Sequence, residues 1–264
     1  MADSGDNRVA LITGAGRGIG LAIAKRLADD GNAVCITDLD GELAQAAAAE
    51  IERAGGRAIG IGGDVTTPAD CESWARAAAD RFGDLHILVN NAGFTRDAFV
   101  HKMSDEQWRL VQDVVLGGAF NTIRAVSPWF RDRERKAPRR IVNIASVSGI
   151  YGSPGNSNYS SAKAGMIGLT RSIAIEWARF GVTVNAVAPG FILTRLTAAR
   201  GAGDQFGIPA EVRDAIVARI PLGRPGEPAD VATAVSFFCA PDAGFITGQV
   251  LEVHGGLPDV NVTQ

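Results

Sequence analysis

Three side chains in the middle of the sequence are of types that can move a proton to or from an oxygen. Tyr159 and Lys163 stand four residues apart in a stretch of helical periodicity, Asn158–Phe180, so phenol and ammonium share one helix face. Ser146 follows an apolar run of strand length, Arg140–Ala145. A phenol with an ordinary pKa of about 10 is a poor base at neutral pH, and a nearby cation lowers that value. A serine hydroxyl beside it can donate a hydrogen bond to a substrate oxygen. The set suits protonation of the alkoxide left when a hydride reaches a carbonyl carbon, or the reverse reaction. Tyr-x-x-x-Lys alone arises by chance on many helices, so the assignment needs a site for a hydride carrier.

Such a site is legible near the N-terminus. The first apolar run, Val9–Thr13, leads into Thr13-Gly14-Ala15-Gly16-Arg17-Gly18-Ile19-Gly20 and then a helical stretch, Gly18–Asp30. Gly14, Gly18 and Gly20 permit a tight turn, and the backbone at Arg17 and Ile19 can approach a pyrophosphate at the positive end of the helix. Asp38, followed by Leu39, ends the second strand about twenty residues on, where a carboxylate accepts hydrogen bonds from ribose hydroxyls. The same carboxylate repels a 2′-phosphate, so NAD (NADH) is expected over NADP, although Arg17 pulls the other way. Asp38 can alternatively cap the next helix. Asp64 and Val65 follow the third strand and are placed to meet an adenine; Asp64 can equally be a loop cap.

The elements that must hold these residues alternate. Strands are expected at Val9–Thr13, Ala33–Asp38, Ala58–Ile61, His86–Asn90, Arg140–Ala145, Thr183–Ala188 and Gln249–Val253. Helices are expected at Gly18–Asp30, Gly41–Ala54, Pro68–Arg81 with Thr67 as N-cap, Ser104–Arg131, Asn158–Phe180, Pro209–Arg219 and Pro228–Phe238, with an irregular stretch at Thr194–Ile208. The first six strands are mostly continuous apolar runs, as in a parallel sheet covered on both faces. The expectation is an α/β chain: a single-domain Rossmann fold over residues 1–264. It is a doubly wound parallel sheet of about seven strands, with loose ends near 1–6 and 258–264.

Composition removes several other classes. Lys and Arg total 26 against 29 Asp and Glu, a net charge of −3, which disfavours nucleic acid or an anionic membrane as a partner. The basic run Arg131–Arg140 also contains Asp132 and Glu134 and reads as a solvated loop before a strand. No apolar run approaches the roughly 18 residues that span a bilayer. Cys35, Cys71 and Cys239 show no paired spacing, with Cys35 and Cys239 in apolar surroundings. His86, His101 and His254 are too scattered for a metal site. The polar start, MADSGDNR, is no signal peptide, and the expected location is cytoplasmic.

Together these pieces resemble the short-chain dehydrogenase/reductase family over essentially the whole length. They are Thr13–Gly20, Asp64–Val65, Asn90–Gly93, Ser146, Tyr159–Lys163, and Pro189-Gly190 with Thr194. The resemblance implies that Tyr159 is the general acid/base, that Lys163 lowers its pKa and binds the nicotinamide ribose, and that Ser146 orients the carbonyl. It also implies cofactor contacts from Asn91, Ala92, Gly93, Pro189, Gly190, Ile192 and Thr194, with Asn91 against the adenine-side ribose. One departure stands out: the family's asparagine in the long helix is Val115 here, so the proton relay behind Lys163 is expected to be backbone-anchored or rerouted.

Asn91–Asp97, Lys102-Met103 and Gln107-Trp108 resemble 3-oxoacyl-acyl carrier protein reductases and acetoacetyl-CoA reductases. That implies a carbonyl or alcohol substrate on acyl carrier protein or a CoA thioester. Those enzymes usually prefer NADPH, from which Asp38 departs. The alternatives are oxidation of another secondary alcohol such as a polyol or steroid, a cofactor-binding scaffold impaired at Val115, and nucleic-acid binding through Arg131–Arg140. Substrate loops are expected around Gly149–Asn158 and Leu193–Ile208, the latter a candidate lid with Leu193, Leu196, Phe206 and Ile208. The resemblance further implies a homotetramer, with the two long helices at one interface and the last strand at another.

Overall fold

The computed structural model describes residues 8–134, 137–195, 197–198 and 207–257. The expected loose ends, 1–6 and 258–264, lie outside them, as do Leu196 and Phe206 of the candidate lid.

Period-two burial builds the core. In β1 (Val9–Thr13), Ala10 and Ile12 face one apolar layer while Val9 and Leu11 face the other. In β4 (Ile87–Asn90), Ile87 and Val89 divide from Leu88 in the same way. With β2 (Ala33–Asp38), β3 (Arg57–Gly62), β5 (Arg139–Ile144), β6 (Val182–Pro189) and β7 (Val250–Val253), these strands form one parallel sheet in the order β3-β2-β1-β4-β5-β6-β7. One layer is covered by α1 (Gly18–Asp29), α2 (Gly41–Arg53) and α9 (Pro228–Cys239). The other is covered by α3 (Pro68–Phe82), α5 (Gly118–Phe130) and α7 (Ser157–Trp177). The chain winds outward from β1 to β3, then crosses to β4 and winds the other way. The crevice at the carboxyl ends of β1 and β4 is therefore the switch point.

Local chemistry sets several helix starts. Asp40 accepts hydrogen bonds from the Glu42 and Leu43 N–H groups and caps α2, so Asp38 is not that cap. Ser104 and Gln107 form a reciprocal capping box on α4 (Asp105–Gln112). Thr67 stands at the N-cap of α3, but its side chain accepts no capping hydrogen bond. The continuous helix expected over Ser104–Arg131 is instead α4, a π-helical turn at Asp113–Gly117, and α5. A short helix, α6 (Ser148–Tyr151), and α8 (Ala210–Arg219) complete the set.

The expected solvated loop ends earlier than Arg140. Arg139 and Arg140 are buried within β5. Arg139 pairs with Asp84 at 2.9 Å, and Arg140 donates to the carbonyls of Ala240 and Pro241 just past the end of α9. Two guanidiniums can be buried there because a carboxylate meets one and the negative end of a helix meets the other. Burial pushes the thiols of Cys35, Cys71 and Cys239 up to about 12. Among the described residues no helix is long and apolar enough to cross a membrane, and no group of His, Cys, Asp and Glu could hold a metal ion.

Candidate active site

At the carboxyl end of β1 the glycine turn is drawn tight against the loop after β4. Gly14 has φ +60°, and a Cβ there would lie 2.8 Å from Ala92 Cα. A Cβ on Gly20 would lie 2.5 Å from the Gly14 carbonyl oxygen. The turn is fastened from outside: Asn91 Nδ2 donates to the carbonyls of Thr13 at 2.9 Å and Gly14 at 2.8 Å. Thr13 Oγ1 accepts from the N–H groups of Asn91 and Ala92. Asn91, expected against the adenine-side ribose, thus also holds the turn in shape with its side-chain amide. Arg17 is the N-cap of α1 and makes no side-chain capping bond, so the first-turn N–H groups are what an anion would meet.

Asp38 closes the far side of the turn. Its Oδ2 accepts from the Gly16 N–H at 3.0 Å and its Oδ1 from the Asp40 N–H at 3.2 Å. Leu39 is exposed beside it. Asp64 Oδ1 accepts from the Thr66 N–H at 2.8 Å, the loop-cap arrangement, and Val65 is buried against Gly118. A cradle that side chains would fill, an uncapped helix start and a carboxylate at the end of β2 fit the pyrophosphate and ribose of a dinucleotide. Gly14, Gly18, Ile19 and Gly20 would meet the former, and Asp38 the latter.

At the carboxyl end of β5 the sequence-expected trio comes together. Ser146 lies by the Tyr159 phenol and favours its ionised form, and its Oγ accepts from the Ser148 N–H at 3.1 Å. Lys163 Nζ lies 5.4 Å from the centre of the Tyr159 ring and donates to the Ile144 carbonyl at 2.5 Å. Burial pushes the Tyr159 phenol up to about 12, against the Ser146 hydrogen bond and with the Asp97 carboxylate adding to the rise. Burial holds the Lys163 ammonium down to about 7. Burial also raises Asp97, opposed by the Thr95 hydroxyl.

The start of α7 is pinned by Asn158, fully buried, whose Nδ2 donates to the carbonyls of Arg96 and Gln107. Gln112 returns a bond to the Asn158 carbonyl. Below the site, Thr122, Asn90, Asn143 and Thr170 form a buried side-chain chain across α5, β4, β5 and α7. Neither Asn158 nor this chain was legible in the sequence, because each bond joins elements far apart in it.

The third segment lies along the end of β6. The Pro189 carbonyl accepts from the Val147 N–H, and the Gly190 N–H donates to the Val253 carbonyl. Ile192 was expected at the cofactor, but its side chain is buried in the core against Gly226, which leaves its backbone for that contact. The Thr194 N–H donates to Thr197 Oγ1 at 2.8 Å. Leu193 is exposed, and Ile208 packs on the cluster of Phe191, Ile216, Ile220 and Leu257.

A family model described as enoyl-(acyl carrier protein) reductase matches residues 14–258. The chain is 42% identical to the 3-oxoacyl-[acyl-carrier-protein] reductase FabG of Vibrio cholerae serotype O1, over 96% of this chain and 98% of that protein. It is 40% identical to the short-chain reductase protein NovJ of Streptomyces niveus, over 95% and 94% of the two chains. It is 39% identical to FabG of Staphylococcus aureus (strain Mu50), over 94% and 97%.

Proposed function

The chain belongs to the short-chain dehydrogenase/reductase family, and on that premise we propose that it reduces a 3-oxoacyl thioester, carried on acyl carrier protein or coenzyme A, with NADH. It is an oxidoreductase that works with a nicotinamide cofactor, as its family does. When bound, that cofactor supplies the hydride to the carbonyl carbon. Tyr159 gives its proton to the carbonyl oxygen, Ser146 donates a hydrogen bond to the same oxygen, and Lys163 stabilises the phenolate that Tyr159 becomes. The observation that carries the reading is the convergence of Ser146, which acts on the Tyr159 phenol, and Lys163, 5.4 Å from the Tyr159 ring, at the carboxyl end of β5.

Preference for NADH rests on Asp38, whose carboxylate is held at the glycine turn where a 2′-phosphate would meet it. The same residue supports a second reading, oxidation of a secondary alcohol with NAD⁺. Exposed Trp108, Phe120 and Ile175 on α4, α5 and α7, and Phe245 and Leu251 next to and on β7, support a homotetramer with two kinds of interface. Three buried free cysteines accord with a cytoplasmic location.

The test is oxidation of NADH against NADPH with acetoacetyl-CoA, beside reduction of NAD⁺ with a panel of secondary alcohols. Acetoacetyl-CoA turnover with NADH preferred, lowered on the order of 10²–10⁴-fold in Tyr159→Phe, is the expected result. Turnover of alcohols alone transfers the assignment to the second reading. Full activity in Tyr159→Phe sinks both.

A further inference from the structure

The π-helical turn at Asp113–Gly117 interrupts what would otherwise be one helix. Such turns have poorer hydrogen-bond geometry than an α-helix and collect at functional sites. Here the inserted turn sends neighbouring residues to different partners. Leu116 fills the space over Gly165 of α7, where a Cβ would lie 2.7 Å from Leu116 Cδ2. Gly118 admits Val65 in the same manner. Val115 is buried, 1% exposed. Its Cγ2 methyl and Lys163 Nζ border one space at Gly93, 3.5 and 3.6 Å from where a Cβ would stand. Val115 also shares an apolar cluster with Ala162, Met166 and the Tyr159 ring.

The surroundings of Lys163 can be followed element by element. Its own helix presents Tyr159, and β5 presents the Ile144 carbonyl. Ser146 and Asp97 act on the Tyr159 phenol. α6 presents Gly149, whose missing Cβ would meet Lys163 Cβ at 2.8 Å. The π-turn presents Val115, whose side chain carries no acceptor. Among the described residues no carboxylate is paired with Lys163, which is 2% exposed.

We propose that Val115 is a positioning residue for Lys163: its methyl groups close the helix side of the ammonium, so that the Ile144 carbonyl and the reaction cleft alone hold the charge. This rests on the reading in which Lys163 assists Tyr159. Proton exchange at Nζ then runs on the cleft side. An acceptor introduced at position 115 would favour the charged lysine and raise its pKa.

The chain has four lysines, so Lys163 can be followed directly by NMR in the full-length protein labelled at the lysine ε-carbon. Lys163→Met assigns its signal. The Lys163 signal is expected to titrate near neutrality in the parent protein, as its burial dictates. Val115→Thr keeps the shape of valine and replaces one methyl with a hydroxyl. It is expected to move the midpoint up by roughly one pH unit, with Val115→Asn moving it in the same direction. The pH profile of kcat for reduction should move with it, while KM changes little. An unmoved Lys163 midpoint in a folded Val115→Thr protein overturns the proposal. If Tyr159→Phe retains full turnover, the functional reading fails instead, and the lysine titration still decides the role of Val115.

Discussion

Burial pushes Tyr159 up to about 12 and Lys163 down to about 7, so both side chains are driven toward their neutral forms. A phenol that keeps its proton across the neutral range is suited to giving it to a carbonyl. The reverse reaction needs the phenolate and should gain as pH rises. Reduction at saturating substrate is therefore expected to decline as pH climbs through about 7, where Lys163 loses its charge, while oxidation increases toward alkaline pH. Rate profiles in both directions check this, and a reduction rate flat through neutrality would contradict it. The same shift bears on stability. Lys163 has a lower pKa folded than unfolded, so between about 7 and the ordinary lysine value the unfolded chain binds more protons and stability rises with pH. Below that window the buried charge costs stability in full. Lys163→Met is expected to lose turnover yet raise Tm by several degrees at about pH 6, with a smaller gain at about pH 9. Thermal melts at both values decide it, and a lower Tm at the acid value would show that the Ile144 bond outweighs desolvation.

The elements that carry these residues are coupled through buried polar side chains. Thr122 donates to Asn90 Oδ1, Asn90 Nδ2 donates to Asn143 Oδ1, and Asn143 Nδ2 donates to Thr170 Oγ1, joining two helices through two central strands. The two asparagines depend on this chain, whereas Thr122 also donates to the Gly118 and Ala119 carbonyls and Thr170 to the Met166 carbonyl. Asn90→Leu, of similar size, is expected to cost roughly 1–3 kcal/mol, read from urea unfolding, because Asn143 Oδ1 loses its donor in a dry interior while Thr122 keeps its carbonyl acceptors. A change within about 0.5 kcal/mol would mean the chain is dispensable. The glycine turn behaves differently, since its requirement is local. Gly14→Ala must fit a methyl group against Ala92 at φ +60°, and loss of both stability and NADH binding is expected by melting and by fluorescence titration. The glycines were legible in the sequence for that reason. The π-turn was not, because residues 104–131 keep helical periodicity throughout, while the neighbours of the turn at Gly165, Gly93 and Val65 come from distant segments.

At the scale of the whole molecule, the exposed large apolar side chains include a group on the long helices and a group by the last strand. Phe120 is 50% and Ile175 81% exposed on α5 and α7, while Phe245 is fully exposed beside the edge strand β7. An edge strand and bare aromatic rings are liabilities unless another copy covers them. Sedimentation at micromolar protein is expected to give a tetramer, and aspartate in place of Ile175 should reduce it to smaller species. A monomeric parent protein would end that expectation.

Residue types and short spacings were sufficient, from sequence alone, for the strand and helix alternation, the glycine turn, the Ser146–Tyr159–Lys163 set and the acidic end of the second strand. Each of these is a local property of the chain, determined by period, turn chemistry or helix face. Tertiary structure alone decided what depends on packing between distant segments. It engaged the Asn91 side chain as the fastener of the glycine turn, buried the side chain of Ile192, and drew Arg139 and Arg140 into the sheet. It also brought the methyl of Val115 to the space shared with Lys163. The physical reason is the same in each case: a polar or charged group takes its partner from whatever the fold brings within hydrogen-bonding reach, and sequence spacing carries no record of that distance.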